Sequence, residues 1–536
     1  MNDCLGPSNE RSPAVTHVRR KLPIGIQTFA KIREEDYYYV DKTAFALRLI
    51  HEGTHYFLSR PRRFGKSLFI DTLAELFAGN ENLFRGLYCH DKWNWSVRYP
   101  VIRISFGSGV LREKEKLEQR IRSILHANAV QLGVRSSPEL SVSDSFIDLI
   151  QAAEAKYGQR VVVLVDEYDK PILDNLTHAE VAREMRDGLR DLYSVIKDQD
   201  AHIHFAMLTG VSKFSKVSLF SGLNNLNDIT VEAGYSAICG YTDEDVDTVF
   251  AAELPGLDRE QIRTWYNGYN WTGQTVYNPF DLLLLFNKRE FRPYWFETGT
   301  PTFLIDVLTE RKTFLPSLEQ LQAPESLLSA FEVGDIATEA LLFQTGYLTI
   351  GSMQKLAGSA YYALGYPNRE VRESLNSGLL GRLSADVQKS VRQRIQLFRL
   401  LEANDFAGMQ RLFTAFYASI PSDWFRRTPI AQYEGYWASV FYAYFAALGL
   451  DITPEESSHA GRLDMAVKFN GQIYLFEFKV VELEPQGHAL AQIKERGYAD
   501  KHRGAGQVIH QIGVEFSSVQ RKVVGFEVES IGFGIQ

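Results

Sequence analysis

Ser59-Arg60-Pro61-Arg62-Arg63-Phe64-Gly65-Lys66-Ser67 separates a short apolar run, Thr54–Leu58, from a helical stretch that opens Leu68-Phe69-Ile70-Asp71-Thr72-Leu73. A strand, a loop ending in Gly-Lys-Ser and a helix are the setting of a phosphate-binding loop. The first N–H groups of a helix have no intrahelical partner, so they are available to phosphate oxygens. Lys66 is expected to reach the outer phosphates and the Ser67 hydroxyl to ligate Mg²⁺. Arg62, Arg63, Gly65 and Leu68 complete the expected nucleotide-binding loop. One position departs from the general pattern: Arg60, followed by Pro61, stands where a glycine is wanted. A basic loop before a helix can equally be a solvated turn, so the reading needs a second half of the site.

Val161-Val162-Val163-Leu164-Val165-Asp166-Glu167 supplies it. This run predicts a buried parallel strand, and ligands of such sheets sit at the carboxyl ends of the strands. Asp166 is expected to hold Mg²⁺, directly or through water, and Glu167 to activate the attacking water. An apolar strand ending in acids can be an ordinary strand-to-loop transition. Its occurrence about 100 residues after a Gly-Lys-Ser loop favours the functional reading. A further run, His202–Leu208, ends in Thr209-Gly210, where a polar side chain could sense the γ-phosphate.

Around these motifs, from Leu22 to about Tyr235, β-branched runs such as Val101–Phe106 and Arg160–Val165 alternate with helical stretches. That alternation predicts a mostly parallel sheet flanked by helices. From about Ser236 to Ile430 the pattern turns largely helical, with amphipathic segments at Ile336–Phe343 and Arg392–Leu401. The last hundred residues read as a helix, three strands, a helix and a final strand.

The final section contains a second constellation. Arg462–Phe469 and Gln472–Val480 flank Asn470-Gly471, the strongest short-range signal for a two-residue hairpin. Pairing Phe469 with Gln472 places Asp464 directly opposite Glu477, with Cβ atoms about 4.5–5.5 Å apart. Lys479, two residues on, shares that face. Leu463, Met465, Phe476 and Phe478 are assigned to the other, core-facing side. Opposed carboxylates destabilise a hairpin, and a divalent cation between them removes the repulsion. Mg²⁺ or Mn²⁺ suits oxygen ligands, and Lys479 could steady a hydroxide or the charge growing on a phosphate. The bland reading is an exposed face with a Glu–Lys pair.

Composition narrows the rest. With 536 residues, several folded units are expected, and 12% aromatic residues argue against extensive disorder. No apolar run approaches the ~20 residues that span a bilayer, so no membrane association is expected. Three cysteines without metal-ligand spacing, and no readable secretory signal, suggest a cytoplasmic protein. A formal net charge of −8 argues against coating nucleic acid by bulk electrostatics, while leaving room for a local grip on a few phosphates.

Tyr39-Val40-Asp41-Lys42-Thr43, Arg60–Leu68 and Val165-Asp166-Glu167-Tyr168-Asp169 together resemble the AAA-ATPase-like family of bacterial proteins. The resemblance continues through Phe220–Asn225, Trp265–Tyr269, Tyr277–Phe280 and Gln344–Thr349. In that family the loop carries arginine where other P-loops have glycine, and a PD-(D/E)xK nuclease-superfamily domain typically follows. Gly461-Arg462-Leu463-Asp464 and Glu477-Phe478-Lys479 are similar to the nuclease motif. Glu434 stands where the superfamily often has an acid, and Gln492 and Tyr498 resemble the Gln…Tyr helix of the RecB-like branch.

The resemblance implies an α/β chain: a P-loop parallel sheet with a helical extension, then an α/β nuclease-like domain. The expected units are a disordered tail (1–20), an AAA-like ATPase domain (21–235), a helical extension and linker (236–430) and the nuclease-like domain (431–536). It implies ATP with Mg²⁺ as cofactors, Mn²⁺ being possible at the second site, with Glu167, Asp464, Glu477 and Lys479 catalytic. The leading expectation is an ATP-binding and hydrolysing protein that controls a Mg-dependent nuclease, with defence against foreign DNA as the role extrapolated from that architecture. The alternative is an ATP-switched sensor that binds nucleic acid without cleaving it. DNA is favoured over RNA as partner, and a homo-oligomer is expected because a neighbour often supplies a residue to the γ-phosphate.

Overall fold

The computed structural model describes residues 19–135, 140–176, 178–213, 225–299, 302–311, 313–329, 336–356, 358–383, 387–418, 434–458, 461–505 and 507–532. Five strands build the first sheet: β1 (His55–Ser59), β2 (Val101–Ser105), β3 (Val161–Asp166), β4 (Ile203–Gly210) and β5 (Asn227–Asp228). They are all parallel, in the order β2-β3-β4-β1-β5. Val161 to Val165 are fully buried, which is why β3 reads as an unbroken apolar run instead of an alternating one. Helices Lys66–Phe77, Lys114–Leu132, Val142–Tyr157 and Ala179–Asp198 accompany the sheet. Because β4 lies between β1 and β3, the loop after β1, the acids after β3 and Thr209 near the end of β4 converge on one edge.

Among the described residues the middle of the chain is largely helical, as expected, and it also holds a small sheet that the helical reading did not include. Helices Thr338–Thr345 and Val387–Glu402 form where amphipathic segments are read. However, β6 (Leu321–Pro324), β7 (Thr349–Leu356) and β8 (Ser359–Gly365) make a three-stranded antiparallel sheet in the order β6-β8-β7. In β7 only the first two residues are buried and the other six are exposed. A strand like this carries no period-two hydrophobic signal, so pairing with β8 decides its state.

The last sheet contains β9 (Asp451–Ser458), β10 (Gly461–Phe469), β11 (Gln472–Val481), β12 (Val508–Ser517) and β13 (Lys522–Ile531). Its order is β13-β12-β11-β10-β9, antiparallel except for β11 and β12. Two strands therefore follow the second helix, where one is expected: β13 is half-exposed with irregular alternation and is weak as sequence. The helix Glu434–Ala446 lays aromatics on one face of this sheet, with Phe441 5.1 Å from Phe478 and Trp437 4.9 Å from Phe516. The helix His488–Glu495 covers the other face and forms the crossover between β11 and β12.

Candidate nucleotide and metal sites

Gly65 caps the helix Lys66–Phe77 in the left-handed region, at φ 94°, which glycine adopts at no steric cost. The buried Lys66 ammonium folds back and donates to the carbonyls of Arg60 and Pro61 at 2.9 and 3.0 Å. Burial lowers its pKa, and the nearby Asp166, Asp169 and Glu167 charges pull it back up.

The anomalous Arg60 points away from the phosphate side. Its guanidinium donates to the carbonyls of Ser59 (2.8 Å), Thr230 (2.8 Å) and Tyr235 (3.0 Å), and lies 4.0 Å from the Trp271 ring centroid. Complete burial pushes its pKa down to about 10. A glycine is dispensable here because the side chain leaves on the core side of the loop. Phe64 packs edge-on against Tyr269 and Trp271 at 4.7 and 5.6 Å. The aromatic segment that follows Trp265-Tyr266-Asn267-Gly268 thus forms the backing of the loop.

Beyond β3, Asp166 Oδ1 accepts from the Thr209 hydroxyl at 2.8 Å and from the Glu167 N–H at 3.1 Å. The Thr209 hydroxyl is thus held on Asp166 from the adjacent strand. Glu167 adopts φ 53°, unusual for a non-glycine residue. Burial raises its pKa, and Asp166 raises it further, against the pull of Lys66 and Arg62. Gly107 abuts it: a Cβ there would lie 3.2 Å from Glu167 Oε2.

A cavity of about 350 Å³ opens over these groups. Arg62, Arg63, Gly65, Lys66, Ser67, Leu68 and Glu167 line its phosphate side, and Tyr38, Val40, Tyr241, Phe280 and Leu283 its apolar side. Arg63 sits 4.8 Å from the Phe280 centroid. Its size matches small-molecule sites, which run from about 300 Å³. The apolar wall comes from sequence-distant segments that no local pattern brings together. Asp169 also lines the cavity, and its buried carboxylate accepts from the N–H groups of Val211 (3.0 Å) and Ser212 (2.6 Å). It was signalled by being the third acid of Asp166-Glu167-Tyr168-Asp169.

At the second constellation the hairpin register is as expected from Phe469↔Gln472 back to Met465↔Phe476. There the registered pairing ends. Asp464 Oδ2 accepts from the Phe478 N–H at 2.8 Å, so the side chain of Asp464 takes up a donor of β11. Strict alternation lapses at this point. Leu463 packs with Ala466, Ile473 and Leu475, not with Met465, Phe476 and Phe478 as the alternation predicts. Asp464 remains near Glu477, because the Phe478 N–H that it holds belongs to the next residue of β11.

Glu477 is 1% exposed, and burial followed by the Asp464 charge pushes its pKa up to about 7. Its Oε1 accepts from the Lys479 ammonium at 3.2 Å and from the Gln492 amide. Its Oε2 is buried without a hydrogen-bond partner. Glu477, Lys479 and Gln492 are thus brought together. The Tyr498 ring is in the core, and its hydroxyl donates to the Arg462 carbonyl at 2.9 Å. Glu434 begins its helix, but its side chain lies outside the described residues. Among the described residues, no three His, Cys, Asp or Glu side chains gather around one point. A cation at the hairpin would rest on Asp464 and Glu477, with other ligands from water or substrate. The orphaned Oε2, an oxygen donor beside a second carboxylate, fits such an ion.

The family model described as "Predicted AAA-ATPase" matches residues 23–220, and that of the "PD-(D/E)XK nuclease superfamily" matches residues 432–526. A protein of Azotobacter chroococcum mcd 1, described as "Uncharacterized protein in vnfD 5'region", is 68% identical over 515 residues, covering 96% of this chain and 100% of that protein. Members of the two families typically use ATP and divalent metals. The chain belongs to the predicted AAA-ATPase family and ends in a PD-(D/E)XK nuclease-superfamily domain.

Proposed function

We propose that this protein hydrolyses ATP and uses its nucleotide state to control a metal-dependent nuclease acting on nucleic acid, DNA in preference to RNA. The observation that carries the nuclease reading is the buried, unpartnered Glu477 Oε2 beside Asp464, with Lys479 and Gln492 on the other oxygen. A divalent ion bound there would supply an acidified water and neutralise phosphate charge. Asp464 and Glu477 would hold it, and Lys479 would stand beside the reacting phosphate. At the other site Ser67 and Asp166 would hold Mg²⁺, Lys66 would leave its loop carbonyls for the phosphates, and Glu167 would activate the attacking water as general base.

Two runs of polar contacts, joined by one helix and ending at a shared cavity, support control by nucleotide. Trp295 joins the Arg62 carbonyl to Glu370, at the start of the helix Arg369–Leu383. On that helix Arg372 donates to the Leu450 carbonyl at 2.8 Å and lies 3.7 Å from Glu319. Glu319 accepts from Tyr442, which shares a small cavity with Asp464.

The units proposed to carry these roles are those read from the sequence: 21–235 for ATP, 236–430 as connector and 431–536 for cleavage, preceded by the tail 1–20. We further propose assembly as a homo-oligomer, a cytoplasmic location and a role against foreign DNA. The net charge of −8 favours one rival, a sensor that retains nucleic acid without cutting it. Incubating the protein with labelled DNA or RNA, with Mg²⁺ or Mn²⁺, separates the two. Products that vanish in Lys479→Ala support the nuclease, and retention without products supports the sensor.

A further inference from the structure

β12 runs parallel to β11 in a register that pairs Glu477 with Gly513 and Lys479 with Glu515. β12 presents Gly513 and Glu515 to the helix His488–Glu495, the helix that delivers Gln492 to Glu477. Gly513 is a contact point: a Cβ there would overlap the backbone nitrogen of Leu490. Glu515 is 2% exposed and accepts four backbone N–H groups at the mouth of the helix. Oε2 takes those of Gln486 and Gly487 at 2.5 and 3.1 Å, and Oε1 those of His488 and Ala489 at 2.6 and 3.3 Å. These donors would otherwise be orphaned at a helix start, and a carboxylate is favoured there by the helix dipole.

We infer that Glu515 is a positioning residue for the nuclease site: together with Gly513 it fixes the height and rotation of this helix so that Gln492 holds Glu477 Oε1 and leaves Oε2 to the metal. A carboxylate with four donors has little freedom to move, and the close approach at Gly513 leaves the helix no room to slide. Gln492 is therefore a fixed reference for Glu477. Outer partners of this kind change metal affinity by about 10- to 100-fold when removed. The inference rests on the hairpin being a metal site.

The test is a double-mutant cycle on Mn²⁺ affinity, read by electron paramagnetic resonance on the full chain without nucleotide, with Asp464→Ala as the background. Gln492→Ala and Glu515→Gln should each weaken the Asp464-dependent Mn²⁺ binding by about tenfold. The double variant should be no weaker than either alone, because both act through one contact. ATP affinity should be unchanged in all of them. Glu515→Asp, which keeps the charge but shortens the reach, serves the same cycle if Glu515→Gln does not fold. Independent losses that multiply in the double variant, or wild-type Mn²⁺ affinity in both Glu515 variants, overturn the inference while leaving the metal site standing. Wild-type binding indistinguishable from Asp464→Ala overturns the metal site itself, and this inference with it.

Discussion

Trp295 is bonded to Arg62: its indole N–H donates to the Arg62 carbonyl at 3.1 Å, 233 residues away in sequence. The backbone N–H of the same tryptophan donates to Glu370 at 2.9 Å. One residue thus reads the phosphate loop with its side chain and holds the connecting helix with its backbone. Trp295→Phe removes the indole donor while keeping an aromatic ring. Losing one such bond changes ATP affinity by tenfold or less, since its net worth is about 1 kcal/mol. The response of cleavage to ATP should shrink much more. Cleavage rates with and without ATP, set beside ATP binding curves, check this; an undiminished response removes Trp295 from the coupling route.

Arg60 is expected to matter for stability and not for phosphate binding. Arg60→Met strips donors from the Ser59, Thr230 and Tyr235 carbonyls and the cation from the Trp271 face. Roughly 2–4 kcal/mol should be lost in urea unfolding, since hydrogen bonds from charged groups contribute more than neutral ones. Folded Arg60→Met should still bind ATP. A selective loss of ATP affinity without loss of stability contradicts this role.

Asp281 and Glu370 form a fully buried carboxyl pair. Burial pushes Asp281 up to about 7, and burial with the Asp281 charge raises Glu370 well above the usual range. Raised carboxyls stabilise the fold while protonated. Their contribution is whole below about pH 4, near the unfolded carboxyl values, and is lost as pH rises through about 7. Asp281→Asn cannot ionise, so its melting temperature should gain on that of the wild type between pH 5 and pH 8. Calorimetric scans across that range check it, and parallel curves contradict it.

Within the nucleotide site the two charged side chains should separate binding from chemistry. Lys66→Ala should abolish ATP binding at micromolar concentrations. Glu167→Gln should bind ATP but release phosphate at least about 100-fold more slowly, the usual cost of losing a general base. Binding by fluorescent ATP analogue and phosphate release are the two readouts. Normal turnover in Glu167→Gln rules out its proposed role.

Much of this was legible because the decisive segments carry strong local signals. β3 is buried on both faces and reads as an uninterrupted apolar run. Asn470-Gly471 fixes the hairpin register as far as Met465↔Phe476. Legibility stops where side chains replace backbone pairing, as at Asp464, or where an exposed strand such as β7 lacks periodicity. Arg60 is an anomaly in the motif and becomes intelligible only with Thr230, Tyr235 and Trp271 beside it. These partners lie 170 to 211 positions away, so no local pattern announces them.

The most direct test of the account is cleavage of labelled DNA in Mn²⁺, with and without ATP, by wild type, Lys66→Ala and Asp464→Ala. The account predicts products from the wild type whose rate depends on ATP, an ATP-insensitive rate from Lys66→Ala, and no products from Asp464→Ala. Identical products from wild type and Asp464→Ala, or DNA retained uncut by the wild type in either nucleotide state, would contradict it.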